Sequence, residues 1–200
     1  MRSFAILFFA LLIAAGSLTA QTIWKSDKAH SRVEFTVTHM LVSEVTGRFT
    51  DFEATLEQGT EDFSGSKVQA TIKVPSVTTD NEYRDKHLRS DDFFNADSFP
   101  MMTFKSTKFE KTGKDTYLIG GNLTMRDVTK PITLVAILKG RYNDSKGTSK
   151  IGFKATTTID RFEFGTKWNK ALETGGLIVS KDVDIKLLFE FNKEVPEAKK

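Results

Sequence analysis

The 200-residue sequence predicts an all-β protein: a closed antiparallel barrel of about eight strands with a short helical lid segment. Three observations predict it. Apolar residues alternate along most of the chain, the period-two pattern of half-buried strands. Turn signals recur at hairpin spacing. No βαβ alternation, internal repeat or domain boundary is visible. A two-sheet sandwich shares these cues, but closure removes the sheet edges, and an eight-stranded barrel is about wide enough to hold one slender ligand.

The strands follow in order after Gln21. Val33, Phe35, Val37 and His39 share one face of Arg32 to His39, with Arg32, Glu34, Thr36 and Thr38 on the other. Gly47 and the Phe49/Phe52 pair, offset by three, indicate a bulge where a strand bends, before Ala54 and Leu56 resume on one face. Val68, Ala70, Ile72 and Val74 form the next inward row, closed by Pro75. Met102 and Phe104, then Tyr117 to Met125, come next. Ile132 to Leu138 is apolar on both faces, so it is expected to be covered on both sides. Ile151 to Ile159 and Val183 to Phe191 alternate again and complete the set. Gln58-Gly59, Ser64-Gly65, Thr112 to Asp115 and Asn143 to Gly147 supply the turns.

Two interruptions break this pattern. In Thr78 to Ser98, a charged cluster (Arg84, Asp85, Lys86, His87, Arg89, Asp91, Asp92) runs directly into Phe93 and Phe94. That is a poor strand but a good short helix, with Thr79 or Asp80 as its cap and Leu88 near its end. It is expected to lie across the barrel mouth, aromatics inside and charges at the rim. The second interruption, Gly165 to Lys181, contains Gly175-Gly176, a pair offering unusual backbone freedom. Loops this long in a compact domain are usually functional or disordered. The plain alternative is that Phe93, Phe94 and Trp168 simply plug the core.

Residues 1–20 have the layout of a secretory signal peptide: Arg2, an uncharged apolar run from Ile6 to Ala15, and a small-residue exit at Ser17-Leu18-Thr19-Ala20. Export to the periplasm or beyond the cell follows as the expectation. Residues 21–193 then read as one barrel domain and 194–200 as a polar tail. The chain has no cysteine, which rules out thiolate chemistry and disulfides. The formal charge of +3 falls to +2 without Arg2, and its basic residues are interleaved with acids, so nucleic acid is not an expected partner. Seventeen Phe against three Tyr and two Trp point to an interior that meets hydrocarbon as readily as itself, since Phe has no polar handle.

Catalytic and metal motifs are thin. There is no G-x-S-x-G elbow, and Asp85 with His87 lacks a matched nucleophile. His30, His39 and His87 lack the short spacings of a local zinc site, so no metal is expected.

Four blocks, in order, resemble the YceI-like family of bacterial polyisoprenoid-binding proteins. His30-Ser31 followed by Val33-Glu34-Phe35-Thr36-Val37-Thr38-His39 resembles its opening strand. Arg84, Asp85, His87, Leu88, Ser90, Asp92, Phe93, Phe94, Phe99, Pro100, Met102 and Phe104 stand in its central R-D-x-H-L, S-x-D-F-F and F-P-x-(apolar)-x-F motif. Gly121, Leu123, Thr124, Thr129 and Pro131 resemble the third block, and Arg161 to Gly165 the fourth. Asp127 departs from a turn glycine common among relatives, which puts only that turn's geometry in question.

The resemblance implies a lipocalin-like barrel, exported to the periplasm, whose interior holds a long isoprenoid chain of a quinone or polyprenyl carrier. The expected tail-binding residues are Phe35, Val37, Phe52, Ile72, Phe93, Phe94, Met102, Phe104, Leu123 and Phe164. An isoprenoid tail offers no hydrogen bonds, so its affinity comes from buried area at roughly 25 cal/mol per Å². Arg84, Asp85 and His87 form the polar cluster expected either to meet a head group or to brace the lid. No cofactor is expected beyond the bound lipid. Transient membrane contact and a homodimer stay open. The rivals are an enzyme acting on a lipid-like substrate through His87 and Asp85, and a filled, ligand-free structural or stress protein.

Overall fold

Alternation becomes strand along most of the described residues. The computed structural model describes residues 21–173 and 175–194. The expected leader and residues 195–200 of the expected tail lie outside the described residues. Eleven strand segments form a single sheet: β1 (Ile23–Ser26), β2 (Arg32–His39), β3 (Ser43–Phe49), β4 (Phe52–Glu57), β5 (Lys67–Lys73), β6 (Val77–Thr78), β7 (Met101–Lys111), β8 (Thr116–Met125), β9 (Val128–Asn143), β10 (Ser149–Asp160) and β11 (Asp182–Lys193). Their order is β1-β4-β5-β7-β8-β9-β10-β11-β2-β3-β6, and β1 also pairs with β11, closing a ring of eight.

The three segments outside the ring continue strands already in it. β1 and β2 lie end to end along one edge of β11, Trp24 opposite Lys193 and Thr36 opposite Asp184. β4 pairs with β1 where β3 pairs with β2, and β5 pairs with β4 where β6 pairs with β3. The barrel therefore has eight antiparallel strands, three of them bent sharply enough to break in two.

Serine hydroxyls patch these breaks. At the β1–β2 break, buried Ser31 accepts from the Glu190 amide at 3.1 Å and donates to the Glu190 carbonyl at 3.3 Å, replacing a missing backbone partner. Ser26 Oγ accepts from the Ala54 amide (2.8 Å), and Ser76 Oγ from the Asp51 amide (3.1 Å) at the β3–β4 bend. Ser106 Oγ accepts from the Val68 amide (2.8 Å) beside the β7 bulge. A buried backbone N–H left unpaired costs about 1–3 kcal/mol, so these hydroxyls stabilise the bends. The bulge expected near Gly47 is instead a bend at Thr50–Asp51. Gly47 serves a different need: a Cβ there would lie 2.2 Å from the ring of Phe35. The extra residue of the β7 bulge, Thr107, restores Phe109 to the interior.

The lower end is shut by aromatics. The loop after β4 turns Phe63, fully buried, beneath the barrel, 5.4 Å from Phe153 and 6.5 Å from Trp24, with the Arg141 guanidinium 4.6 Å over its ring. Tyr117 Oη donates to the Asp62 carbonyl (3.0 Å) and Trp24 Nε1 to Gln58 Oε1 (2.9 Å).

Two expectations are corrected. β9 is covered on its inner face alone: Leu134 and Ala136 are buried, whereas Val135 and Ile137 are exposed beside Leu118. No described element packs outside the barrel there. The helix α1 (Glu82–Arg89) is capped by Asn81, whose Oδ1 accepts from the Arg84 amide (3.0 Å), and not by Thr79 or Asp80. The β8–β9 turn places Arg126 (φ 53°) and Asp127 (φ 58°) in the left-handed region, as a two-residue hairpin demands; aspartate tolerates this where a glycine is usual.

Candidate ligand-binding site

Between the aromatic floor and α1 the barrel is hollow. A cavity of about 480 Å³ runs up its axis, within the range of small-molecule sites. The inward row of each strand supplies the wall. Phe35, Val37, Ile72, Met102, Phe104 and Leu123 line it as the alternation predicts, and Phe93 and Phe94 line it from the lid. Gly121 leaves room for Phe104, whose ring would lie 2.4 Å from a Cβ there. Phe52 and Phe164 are buried but do not reach the cavity. Phe52 follows the bend, and its ring meets Phe189 edge-on at 5.6 Å. Phe164 lies in the 3-10 turn Arg161–Phe164, where strand alternation no longer applies.

The lid is tied down at many points. Phe94 meets Phe35 (6.3 Å) and Phe49 (5.5 Å) edge-on. Phe93 stacks on Trp168 at 5.7 Å, with the His87 ring edge-on at 5.0 Å. Arg89 donates to the carbonyls of Pro75 and Val77, anchoring the helix end. Arg126 Nη1 donates to the carbonyls of Phe93 (2.7 Å) and Asp91 (3.0 Å), joining the β8–β9 turn to the lid. The amides of Lys167 and Trp168 both donate to the Asp92 carbonyl, joining the second interruption to the first.

Arg84 and Asp85 meet only through Thr79, and His87 pairs apart from both. Asp85 does not sit at the rim: it is buried, turned away from the cavity. Its carboxylate accepts from Thr79 Oγ1 (2.6 Å), the Thr79 amide (2.7 Å) and Thr78 Oγ1 (2.9 Å). Burial works against its charge, but these hydrogen bonds and nearby Arg89 hold the carboxyl below its ordinary value. Arg84 does line the cavity, donating from Nε to Thr79 Oγ1 (2.7 Å) and from Nη2 to the Thr79 carbonyl (3.0 Å). His87 also lines it, and its Nε2 lies 2.8 Å from Asp92 Oδ2, not from Asp85.

Sequence reasoning missed Arg161 as a cavity residue. Its guanidinium is buried at the mouth, donating to the carbonyls of Ser180 (2.9 Å), Trp168 (2.7 Å) and Val179 (3.2 Å), and to Thr166 Oγ1 (3.3 Å). It lies 4.2 Å over the Phe162 ring and 5.8 Å over Phe93. Its signal was present in the Arg161 to Gly165 block, but nothing local says that an arginine after a strand will turn inward. Trp168, Phe109, Phe153 and Phe189 also line the cavity.

The three histidines do not converge. His39 and His87 are at the mouth, whereas His30 Nδ1 lies 3.1 Å from Asp27 Oδ2 beside Glu190. The Lys150 ammonium bridges Asp27 and Glu190, offsetting one of that cluster's two negative charges.

A family model described as YceI-like domain matches residues 24–191. A UPF0312 protein of Staphylococcus aureus strain USA300 is 40% identical over 167 residues, covering 83% of this chain and 95% of that protein. The crystal structure of a Campylobacter jejuni YCEI protein is similar at 32% identity and a TM-score of 0.66, over 79% of this chain and 90% of that one. A polyisoprenoid binding domain from Saccharophagus degradans, implicated in plant cell wall breakdown, shares the fold at a TM-score of 0.61 and 15% identity, over 86% and 98% of the two chains.

Proposed function

Because this chain belongs to the YceI-like family, we propose that it is a binding protein that shelters the apolar chain of an amphiphilic isoprenoid, of quinone or polyprenyl type. The observation that carries this reading is the hollow axis: about 480 Å³ walled by aromatic and aliphatic side chains, closed below and bordered by polar groups only at the top. Such a cavity costs the barrel packing, and an apolar tail restores those contacts at roughly 25 cal/mol per Å² buried. The Saccharophagus degradans polyisoprenoid binding domain, which shares the fold, supports an isoprenoid as that tail.

Binding fits the mouth better than catalysis does. His87 is engaged by Asp92, and among the described residues no side-chain hydroxyl is hydrogen-bonded to its ring. Asp85, named with His87 in the enzyme reading, is committed to Thr78 and Thr79. The layout of residues 1–20 supports export, with the barrel acting outside the cytoplasm.

The test is extraction of the purified mature protein with organic solvent and identification of the extract by mass spectrometry. A prenyl lipid in stoichiometric amount is the expected result. Protein that is empty as purified and binds none of a series of prenyl alcohols, phosphates and quinones would favour the ligand-free structural reading. Export is checked by N-terminal sequencing of the secreted or periplasmic form, with Gln21 as the expected first residue.

A further inference from the structure

We propose that the tip of the β2–β3 hairpin, Met40-Leu41-Val42, is a docking element that sets the barrel mouth against a lipid bilayer. The proposal rests on the carrier reading for its purpose, since a carrier must meet the bilayer that holds its ligand. β2 and β3 pair as far as His39 opposite Ser43, and the Val42 amide donates to the His39 carbonyl at 3.1 Å to close the turn. Met40 (φ 52°) and Leu41 (φ 64°) both occupy the left-handed region. Such a turn favours Asn and Gly, and other side chains are strained there. This chain instead places two large apolar residues at those positions and a third, Val42, after them. They are 46%, 68% and 84% exposed, so burial within the fold offsets little of that strain.

The tip stands beside the mouth. His39, at its base, lines the cavity and bridges to Val179, and the Met40 amide donates to the Ile178 carbonyl at 2.8 Å. Ile178 and Val179 line the cavity as well, so apolar surface continues from the shaft to the tip. Tyr83, on the first turn of α1, adds an 86% exposed side chain that also borders the cavity. A stable protein interface takes about 800 Å² from each partner, and these four side chains on two separate elements fall well short of it. A bilayer asks for less: a few apolar side chains at the headgroup boundary, with a tyrosine at the level where amphipathic rings collect. The exposed charges on the flanking segments are of both signs, Lys86 and Lys170 with Glu82 and Glu173, so apolar area and not charge carries the contact.

The test is flotation of the mature protein with phosphatidylcholine vesicles at low and at high salt. Wild type is expected to float with the vesicles at both. Met40→Asn combined with Leu41→Gly supplies the residues this turn prefers. That double variant should bind vesicles at least about tenfold more weakly, the scale of one buried leucine side chain, while its melting temperature stays level or rises. Val42→Ser, outside the two left-handed positions, should also weaken binding with no change in melting temperature. Equal flotation of wild type and both variants would overturn the proposal, and so would flotation lost at high salt, which would make the contact electrostatic. Wild type that ignores vesicles but dimerises through the tip, with the double variant monomeric in sedimentation velocity, would assign the tip to a second copy instead. Solvent extraction reads the carrier separately. Protein loaded with prenyl lipid that never floats would sink the docking and leave the carrier, whereas protein that floats but holds and binds no prenyl lipid would do the reverse.

Discussion

Single polar side chains decide where this barrel bends and how its lid is held. Ser31 is the clearest case, since its hydroxyl both accepts from and donates to Glu190 across a gap in the ladder. Ser31→Ala should cost about 1–2 kcal/mol by orphaning a buried amide, measured by denaturant unfolding. Asp85 is the second case. Its folded-state carboxyl lies below the ordinary 3.8, so the folded protein holds that proton less tightly than the unfolded chain. The resulting stability is complete above the ordinary value and is lost as pH falls from there through the lower folded value. The melting temperature should therefore drop below about pH 4, and Asp85→Asn should be less stable at neutral pH with a shallower acid slope. An identical acid slope in the variant would remove Asp85 from the effect.

At the scale of elements, the lid is a short helix plus an aromatic pair, fastened by backbone carbonyls that Arg89 and Arg126 collect. Phe93 and Phe94 are partly buried, and both face the hollow shaft. Replacing both by alanine should speed ligand release more than it lowers folding stability, seen by comparing dissociation rate with melting temperature. The reverse order would make them core plugs. Arg126→Ala acts on the same element from outside the cavity. It removes three hydrogen bonds to the lid, including one to Asp91 Oδ1, without touching the lining, and should likewise speed release.

For the whole molecule, closure rests on a four-residue strand. β1 alone joins β4 to β11, and Trp24 is its buried anchor. Trp24→Ala should cost about 3–5 kcal/mol, lowering the melting temperature by roughly 10 °C for a domain of this size. Alternation made eight strands and most of the lining legible, because a strand's two faces are written in its own residues. It failed at Phe52, just after a bend, at Phe164, in a 3-10 turn, and on β9, where the outward Val135 and Ile137 are apolar yet exposed. The central charged block was legible as a lid but not in its pairings, because Asp85 finds its partners in Thr78 and Thr79, not in Arg84 or His87. Local sequence thus determined the strands, the turns and the apolar character of the interior, all properties set within a few residues. Only the tertiary structure decided that the interior is hollow, since an empty axis depends on how eight inward rows meet. It also decided that Arg84 and Arg161, 77 positions apart, line the same cavity, because that juxtaposition exists only once the ring closes.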